Sequence, residues 1–124
     1  MRSGPPARPM DATAVRAAKE RMLPARDERR IRKILEALCE PTRLKIVRAL
    51  RGTTLAAGDL ATVIERSRAA TSQHLKVLRD VGAVVRRREG NVVRYSLSDD
   101  VTAEILEDAA DAFDRLAAAS GEGG

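Results

Sequence analysis

The sequence Ser-Arg-Ala-Ala-Thr-Ser-Gln-His-Leu-Lys-Val-Leu-Arg-Asp-Val-Gly, residues 67–82, has the pattern of one helix with a single apolar face. Ser67 is a favourable N-cap, and Gly82 is a favourable C-terminal cap. Three residues recur at the spacing i, i+4, i+7, which places them on one side of an α-helix: Thr71, Leu75 and Leu78. The pattern therefore predicts a helix over residues 67–81 whose other side faces solvent.

A short helix before this segment and a hairpin after it complete a larger unit. Three apolar residues indicate a short helix that ends near Arg66: Leu60, Val63 and Ile64. Residues 83–88 and 92–97 alternate in polarity around Glu89-Gly90-Asn91, which indicates two strands joined by a tight turn. A short helix, a tight turn and a second capped helix form a helix-turn-helix, so the hairpin over residues 84–97 is predicted to be its wing.

Three helices are predicted on the N-terminal side of this unit. Asp11 caps a short helix that Pro24 interrupts. An amphipathic helix from about residue 26 to 38 follows, with its apolar residues at helical spacing. Pro41 begins a helix of about ten residues, because proline is well tolerated in a first turn. Leu55 then anchors a loop into the core.

A chain of 124 residues is sized for one domain, since a domain commonly holds about 100–200 residues. After the hairpin, Asp99 or Asp100 caps a last helix that reaches about Ala119. The expected fold class is therefore mainly α, a winged helix-turn-helix with a two-stranded wing and terminal helices. Four segments are expected: a disordered basic tail rich in proline (1–10), a helical extension (11–24), the winged helix-turn-helix domain (25–119) and a flexible tail (120–124).

The basic and acidic residues are unevenly distributed. Residues 1–98 hold 22 Lys and Arg against ten Asp and Glu, whereas residues 99–124 hold one basic residue and eight acidic ones. A strongly basic body indicates a polyanionic partner, most often nucleic acid. The alternative is that the Arg-rich helix faces are simply solvated. Under the first interpretation, the acidic C-terminal segment lies on the side away from the nucleic acid.

Scarce residue types exclude several function classes. Tyr95 and Phe113 are the only aromatic residues, too few for a platform on which bases stack. A single cysteine, Cys39, and a single histidine, His74, exclude an intrachain disulfide, a CxxC-type metal centre and an HExxH metalloprotease. No set of nucleophile, base and orienting group is evident, so neither an enzyme nor a cofactor is expected. No apolar run approaches the ~20 residues that span a bilayer, and residues 1–6 lack a secretory apolar segment, so a cytoplasmic protein is expected.

Three segments match one bacterial family in order and spacing. They are Glu40–Leu44 (Glu-Pro-Thr-Arg-Leu), Ser72–Arg79 followed by Gly82, and Arg88–Leu97. The first resembles the opening of a helix in the ArsR/SmtB-type repressors, the second resembles their recognition helix, and the third resembles their wing. The matches cover about residues 30–100. The resemblance implies a homodimeric winged helix-turn-helix transcription factor, usually a repressor that a chemical signal releases.

Within this resemblance, the outer side of the 67–81 helix is expected to contact base edges. Gln73 can bond an adenine edge with two hydrogen bonds, and Ser72 can donate or accept. Ala69 is small enough to admit the helix to the major groove and to touch a thymine methyl. Arg68, in the first turn, can reach guanine or phosphate. For each residue the alternative is a solvated helix face.

Other residues of the same helix are expected at phosphates, which position a protein without specifying sequence. Lys76 and Arg79 are assigned to this role. His74 is expected to form a hydrogen bond at the helix surface, for which a phosphate is a suitable acceptor. The alternative for His74 is a metal ligand, which a lone histidine seldom provides.

The wing adds further cations. By strand alternation, Arg86 and Arg88 share one face, and Arg87 lies on the other. Arg88 and Arg94 flank the turn and are expected to clamp a phosphate or to enter the minor groove. Arg43 is assigned with equal weight to a DNA-backbone contact or to a structural ion pair.

The sensor sites of the resembled family are incomplete in this sequence. Residues 55–60, where some members carry a Cys-x-Cys motif, contain no cysteine, which excludes thiolate ligation of soft metals there. The last helix offers carboxylates without histidine, a poor site for zinc or nickel, so no metal is expected. Cys39 stands where a small apolar residue is usual and is expected to be buried. The alternative for Cys39 is a redox switch through an intersubunit bond or an external adduct.

The last helix carries more apolar surface than one protomer would cover. In the resembled family, the first and last helices of two subunits pack together. Such a C2 homodimer places its recognition helices about 34–36 Å apart, so the operator is expected to be an imperfect inverted repeat. The residues assigned to the dimer interface are Ile31, Ile34, Leu38, Val101, Ile105, Ala109, Ala112, Phe113 and Leu116.

Two functional hypotheses from different classes follow. The first is a sequence-specific regulator, a homodimeric repressor that binds double-stranded DNA and is released by an effector. The second is a winged-helix protein-interaction module without specific DNA binding. The Arg-rich face favours the first hypothesis.

Overall fold

The structure, a computed structural model, describes residues 10–22 and 25–121. The expectations for residues 1–9, for Pro24 and for residues 122–124 lie outside the described residues. No helix within the described ranges is both long enough and apolar enough to cross a membrane. A 3-10 turn, Ala25–Asp27, precedes the second helix, and the described elements are α1 (Ala12–Lys19), α2 (Glu28–Leu38), α3 (Pro41–Ala49), β1 (Leu55–Ala56), α4 (Ala57–Ile64), α5 (Arg68–Asp80), β2 (Val84–Glu89), β3 (Val92–Leu97) and α6 (Val101–Ala119).

Polar side chains cap α1 and α3, at starts that the sequence predicts. The Asp11 carboxylate accepts a hydrogen bond from the backbone N–H of Ala14 at 3.0 Å. Glu40 accepts from the N–H of Thr42 at 3.2 Å, which lowers the pKa of Glu40 below its ordinary value. These bonds satisfy donors that a first turn leaves without a helical partner. Helix α1 ends at Lys19, before the predicted break, and none of its residues is buried.

The core lies where α3, α4, α5 and α6 meet. Its largest fully buried side chains include Ile46, Leu60, Leu78 and Leu106, one from each of these helices. Helix α2 covers this core through Ile34, which is 7% exposed. The sequence assigns Ile34 to the dimer interface, and this assignment is corrected, because the side chain packs within its own protomer.

The sheet has three strands in the order β1-β3-β2. Strands β2 and β3 form the predicted hairpin, and Gly90 supplies the positive φ of +66° that its tight turn requires. Leu55 lies opposite Tyr95 in an antiparallel pairing, so the expected loop at Leu55 is a short strand. Through this pairing, β1 holds the wing next to the start of α4.

The acidic surface of α6 is partly neutralised by two arginines, one in α3 and one just beyond its end. Arg51 contacts Glu107 at 3.2 Å and Asp111 at 2.7 Å, and Arg48 is paired with Asp114. The hydrogen bond to Asp111 raises the pKa of Arg51 above its ordinary value. The uneven charge distribution in the sequence therefore serves packing within the protomer as well as the separation of charge.

A polar junction joins the start of α6 to α2 and to the end of α5. Asp100 caps α6 by accepting from the N–H of Thr102 at 2.9 Å, and the Arg30 guanidinium contacts Asp100 at 2.5 Å. Ser98 donates its hydroxyl to the carbonyl of Gly82 at 2.6 Å. These bonds fix the last helix relative to the helix-turn-helix.

The junction makes stability depend on the charge of Asp100. Hydrogen bonds from Thr102, aided by Arg30, lower the pKa of Asp100 from 3.8 to about 2. Because the folded-state pKa is depressed, its stabilising contribution is present above pH 3.8 and is lost as the pH falls through about 2. Asp100→Asn keeps a helix cap but removes the charge. We expect a lower Tm than wild type at pH 6, and we expect this difference to close between about pH 4 and 2.

Circular dichroism melts from pH 6 to pH 2 measure this difference. Asp99→Asn, at the neighbouring exposed carboxyl, is the matched control and should show no comparable pH-dependent difference. A Tm difference for Asp100→Asn that stays constant down to pH 2 would contradict the assigned role.

Candidate nucleic-acid interface

A three-residue turn, Glu65 to Ser67, joins α4 to α5. Glu65 adopts the left-handed conformation with φ of +56°, and the N–H of Arg66 donates to the carbonyl of Ala61 at 3.1 Å. A left-handed residue at this place ends a helix while satisfying its last carbonyls. The turn completes the predicted helix-turn-helix.

The orientation of α5 follows from its cap and its buried side. The Ser67 hydroxyl accepts from the N–H of Ala70 at 3.0 Å, as the cap prediction requires. Thr71 and Leu78 are fully buried, and Leu75 is 1% exposed, which confirms the predicted inner face. The opposite side exposes four residues that the sequence assigns to DNA contact: Ala69, Ser72, Gln73 and Lys76.

A cleft of about 360 Å³ separates α5 from the wing. Arg68 and Ser72 line one side, and Asn91 lines the wing side. The Arg68 guanidinium lies close to Gly58 at the start of α4: a Cβ on Gly58 would be 3.9 Å from Cζ of Arg68. The polar and cationic lining of an open cleft suits a sugar-phosphate backbone.

The register of the wing determines which arginines share a face. Arg87 lies directly opposite Arg94, whereas Arg88 lies opposite Val93. Arg88 and Arg94 are therefore on different faces and cannot clamp one phosphate together, which corrects that expectation. Arg94 also contacts Glu89 at 3.2 Å.

Sequence reasoning overlooked two interface candidates, Arg87 and Asn91. Arg87 was assigned to a face, but its partner there, Arg94, follows only from the cross-strand register. The sequence does contain a signal for this pairing. The hairpin turn has two residues, Gly90 and Asn91, and a turn of that length fixes the register of the two strands. Asn91 reaches the cleft from the tip of the wing.

Arg43 has a role that neither sequence alternative describes. Its Nη1 donates to the carbonyl oxygens of Glu36 at 3.0 Å and Ala37 at 3.3 Å, and its Nε donates to Nδ1 of His74 at 3.4 Å. No ion pair of Arg43 occurs among the described residues. Arg43 is thus a structural contact made through backbone carbonyls and a ring nitrogen.

The two other cations assigned to phosphates differ in their surroundings. Lys76 is exposed and contacts Asp80 at 3.1 Å, an i, i+4 pair that a phosphate can replace. Arg79 is half-buried, and its Nε is buried without a hydrogen-bond partner in the described part of the chain. Arg79 is therefore less available to DNA than Lys76.

The structure changes the account of Cys39 as well. Its side chain is exposed, not buried as expected, because it lies at the end of α2. The Sγ donates to the carbonyl of Leu35 at 3.3 Å.

Across residues 10–22 and 25–121, no three His, Cys, Asp or Glu side chains are grouped so that they could hold a metal ion.

Helix α6 has two apolar faces. Leu106 and Ala110 face the protomer core, whereas a second stripe remains uncovered. Three residues assigned to the dimer interface are half-buried: Ile31 and Leu38 of α2, and Ala109 of α6. The exposed members of the stripe assigned to the dimer are Val101 (50% exposed), Ile105 (38%), Ala112, Phe113 (55%) and Leu116 (62%).

Comparison with known proteins agrees with this architecture. A helix-turn-helix domain family model matches residues 38–87. The HTH-type transcriptional regulator NmtR of Mycobacterium tuberculosis is 43% identical over 75 residues, which are 60% of this chain and 62% of NmtR. A transcriptional repressor SmtB homologue of Synechocystis is 31% identical over 97 residues, which are 78% of this chain and 74% of the homologue.

Solved structures give the same result. HlyU from Vibrio cholerae superimposes with a TM-score of 0.61 at 32% identity, covering 68% of this chain and 91% of HlyU. A homodimeric winged helix-turn-helix DNA-binding domain from Mycobacterium bovis, described as a possible ArsR-family regulator, has a TM-score of 0.65. That match covers 78% of this chain and 94% of the domain, and at 23% identity it shows the fold alone.

The capped helix-turn-helix and its hairpin define a winged helix-turn-helix protein. The match to the SmtB homologue also identifies the family, because it covers 74% of that repressor at 31% identity. The chain belongs to the ArsR/SmtB family of transcriptional regulators. It spans less than two thirds of the length of NmtR.

Because the cap of α5 is formed by one side chain, its removal has a defined effect. Ser67→Ala should lower the free energy of unfolding by about 1 kcal/mol, since the N–H of Ala70 loses its acceptor. Ser67→Asn keeps a capping oxygen and should stay close to wild type. Urea denaturation at one fixed protein concentration measures the difference. Equal losses for both variants would show that the hydroxyl does not act as the cap.

Proposed function

We propose that a homodimer of this chain is a sequence-specific repressor that binds an inverted-repeat operator through α5 and the wing. The observation that carries the proposal is the exposed polar side of α5 beside a cation-rich wing, with a cleft between them. Related proteins named as transcriptional repressors support it. The proposal places the protein in the cytoplasm, where bacterial operators are found, and assigns it no catalytic activity.

Base recognition is assigned to the exposed side of α5. Gln73 projects an amide that can form paired hydrogen bonds with adenine, and Ser72 lies beside it at the cleft. Ala69, one turn earlier, leaves room for the helix to enter the major groove. Arg68 lines the cleft close to the start of α4, so it is assigned to the DNA backbone.

Backbone contacts surround this centre. Lys76 lies one turn beyond Ser72 and exchanges Asp80 for a phosphate. The wing contributes on both faces: Arg88 on one, and Arg94 with Arg87 on the other. Because these contacts follow the phosphates, they add affinity without sequence preference.

The partner for the uncovered stripe of α6 is a second copy of this chain. The homodimeric Mycobacterium bovis domain with the same fold supports this assignment. The apolar stripe, with the half-buried Ile31 and Leu38 of α2, offers a self-complementary surface for a C2 axis. Residues 25–119 form the proposed DNA-binding and dimerisation domain, and residues 11–24 form an extension to it.

Gln73 is the sharpest test of sequence recognition. Gln73→Ala should weaken binding to an inverted-repeat fragment, selected by the wild-type protein from random DNA, by about 1–3 kcal/mol. Binding to unrelated DNA should be unchanged. Lys76→Ala is the contrast: both DNAs should lose affinity equally, and the slope of log K against log salt should fall by about one.

Fluorescence anisotropy at two salt concentrations measures both effects. If Gln73→Ala binds the selected fragment as tightly as wild type, α5 has been assigned the wrong reading face. If the folded wild-type dimer selects no fragment, the interaction-module hypothesis replaces the proposed function.

The dimer surface is tested by two alanines of α6, both exposed. Ala112 lies on the apolar stripe, and Ala118 lies on the opposite side of the helix. Ala112→Asp should shift the protein from dimer to monomer at micromolar concentration, because it places an unpaired carboxylate in an apolar contact. Ala118→Asp introduces the same group outside the contact and should remain dimeric. Sedimentation equilibrium gives the masses, and a dimeric Ala112→Asp would exclude this stripe from the interface.

A further inference from the structure

Arg43 lies where three helices meet. It belongs to the first turn of α3, donates through Nη1 to the Glu36 and Ala37 carbonyls that end α2, and donates through Nε to Nδ1 of His74 on α5. The last carbonyls of a helix lack partners within it, so the guanidinium helps to satisfy the end of α2. One side chain therefore connects a helix that carries part of the proposed dimer surface to the recognition helix.

This contact determines which ring nitrogen of His74 carries the proton. An arginine can donate but cannot accept, so Nδ1 must present its lone pair. A neutral His74 then holds its proton on Nε2. In the described part of the chain, no group forms a hydrogen bond with Nε2, and the only buried side-chain nitrogen without a partner is Nε of Arg79. The Nε2–H of His74 is therefore open to solvent.

We propose that Arg43 is a positioning residue, which holds His74 as an Nε2–H donor to a phosphate of the operator backbone. The inference rests on the proposed function, because it requires DNA against α5. His74 is half-buried and lies between the exposed Gln73 and the buried Leu75, at the edge of the reading face. Phosphates lie at that edge when a helix occupies the major groove.

The same geometry links the donor to α2. If the end of α2 moves, the guanidinium must lose its hydrogen bonds either to the α2 carbonyls or to the His74 ring. The orientation of a phosphate donor thus depends on the position of a helix that carries part of the proposed dimer surface. Arg43 acts through His74 and does not itself contact DNA.

The first experiment reads the ring directly. His74 is the only histidine in the chain, so its ring ¹⁵N signals need no further assignment. At pH 8 the wild-type protein should show a protonated Nε2 and an unprotonated Nδ1. Arg43→Lys keeps a charge and a donor for the α2 carbonyls but removes Nε, so both ¹⁵N shifts should move toward values averaged over the two tautomers. A proton on Nδ1 in wild type, or unchanged shifts in Arg43→Lys, would overturn the inference.

The second experiment measures operator affinity in matched variants. His74→Gln places an amide donor near the position of Nε2 and should bind within about twofold of wild type, whereas His74→Asn reaches only Nδ1 and should bind about tenfold more weakly. Arg43→Lys should lower operator affinity severalfold when His74 is present, and it should have no effect in the His74→Asn background.

The outcomes separate the two proposals. Wild-type affinity in His74→Asn would overturn the phosphate contact. If wild type binds no operator, the proposed function fails and the phosphate contact fails with it. The ¹⁵N shifts still show in that case whether Arg43 sets the tautomer.

Discussion

Burial of one side of α5 is the constraint on which the proposed DNA-facing surface depends. Leu75 and Leu78 are within 1% of complete burial, and each buried leucine contributes about 1.5–3 kcal/mol. A rotation of α5 by one residue toward Lys76 would expose this apolar surface and bury Lys76 without a partner, which costs more still. The core therefore selects the side chains that face outward. The Ser67 cap and the left-handed Glu65 then set where the helix begins.

The charges of the molecule are arranged so that packing and binding do not compete. Carboxylates of α6 hold Arg48 of α3 and Arg51, which lies just beyond the end of α3, so part of the positive charge is used within the protomer. Arg68, Arg86 and Arg87 form no ion pair within the described ranges and lie on α5 or the wing. A positive field on one surface, opposed by an acidic helix elsewhere, orients the approach of a polyanion.

Periodicity and caps were sufficient to predict the long elements, including the buried side of α5 and the start of α6. They failed where an outcome depends on the placement of other segments. Leu55 belongs to a strand of two residues, too short to show alternation, and only its pairing with β3 makes it a strand. Cys39 is exposed because α2 ends at that position, and Arg94 faces Arg87 because of the hairpin register. Arg43 contacts groups that are adjacent only after three helices have packed. The described geometry locates the candidate interface, while its DNA contacts stay predictions.

The pairing of Arg87 with Arg94 gives the wing a stability that varies with its ionic surroundings. Like charges directly across two strands weaken a hairpin, and Glu89 compensates only Arg94. Added salt screens this repulsion and favours the ordered wing in the free protein, while the same salt weakens phosphate contacts. A polyanion against this face relieves the repulsion, so part of its binding free energy goes into local ordering. In the proposed complex, the salt dependence of DNA binding therefore contains a folding contribution, and its slope understates the number of phosphates contacted.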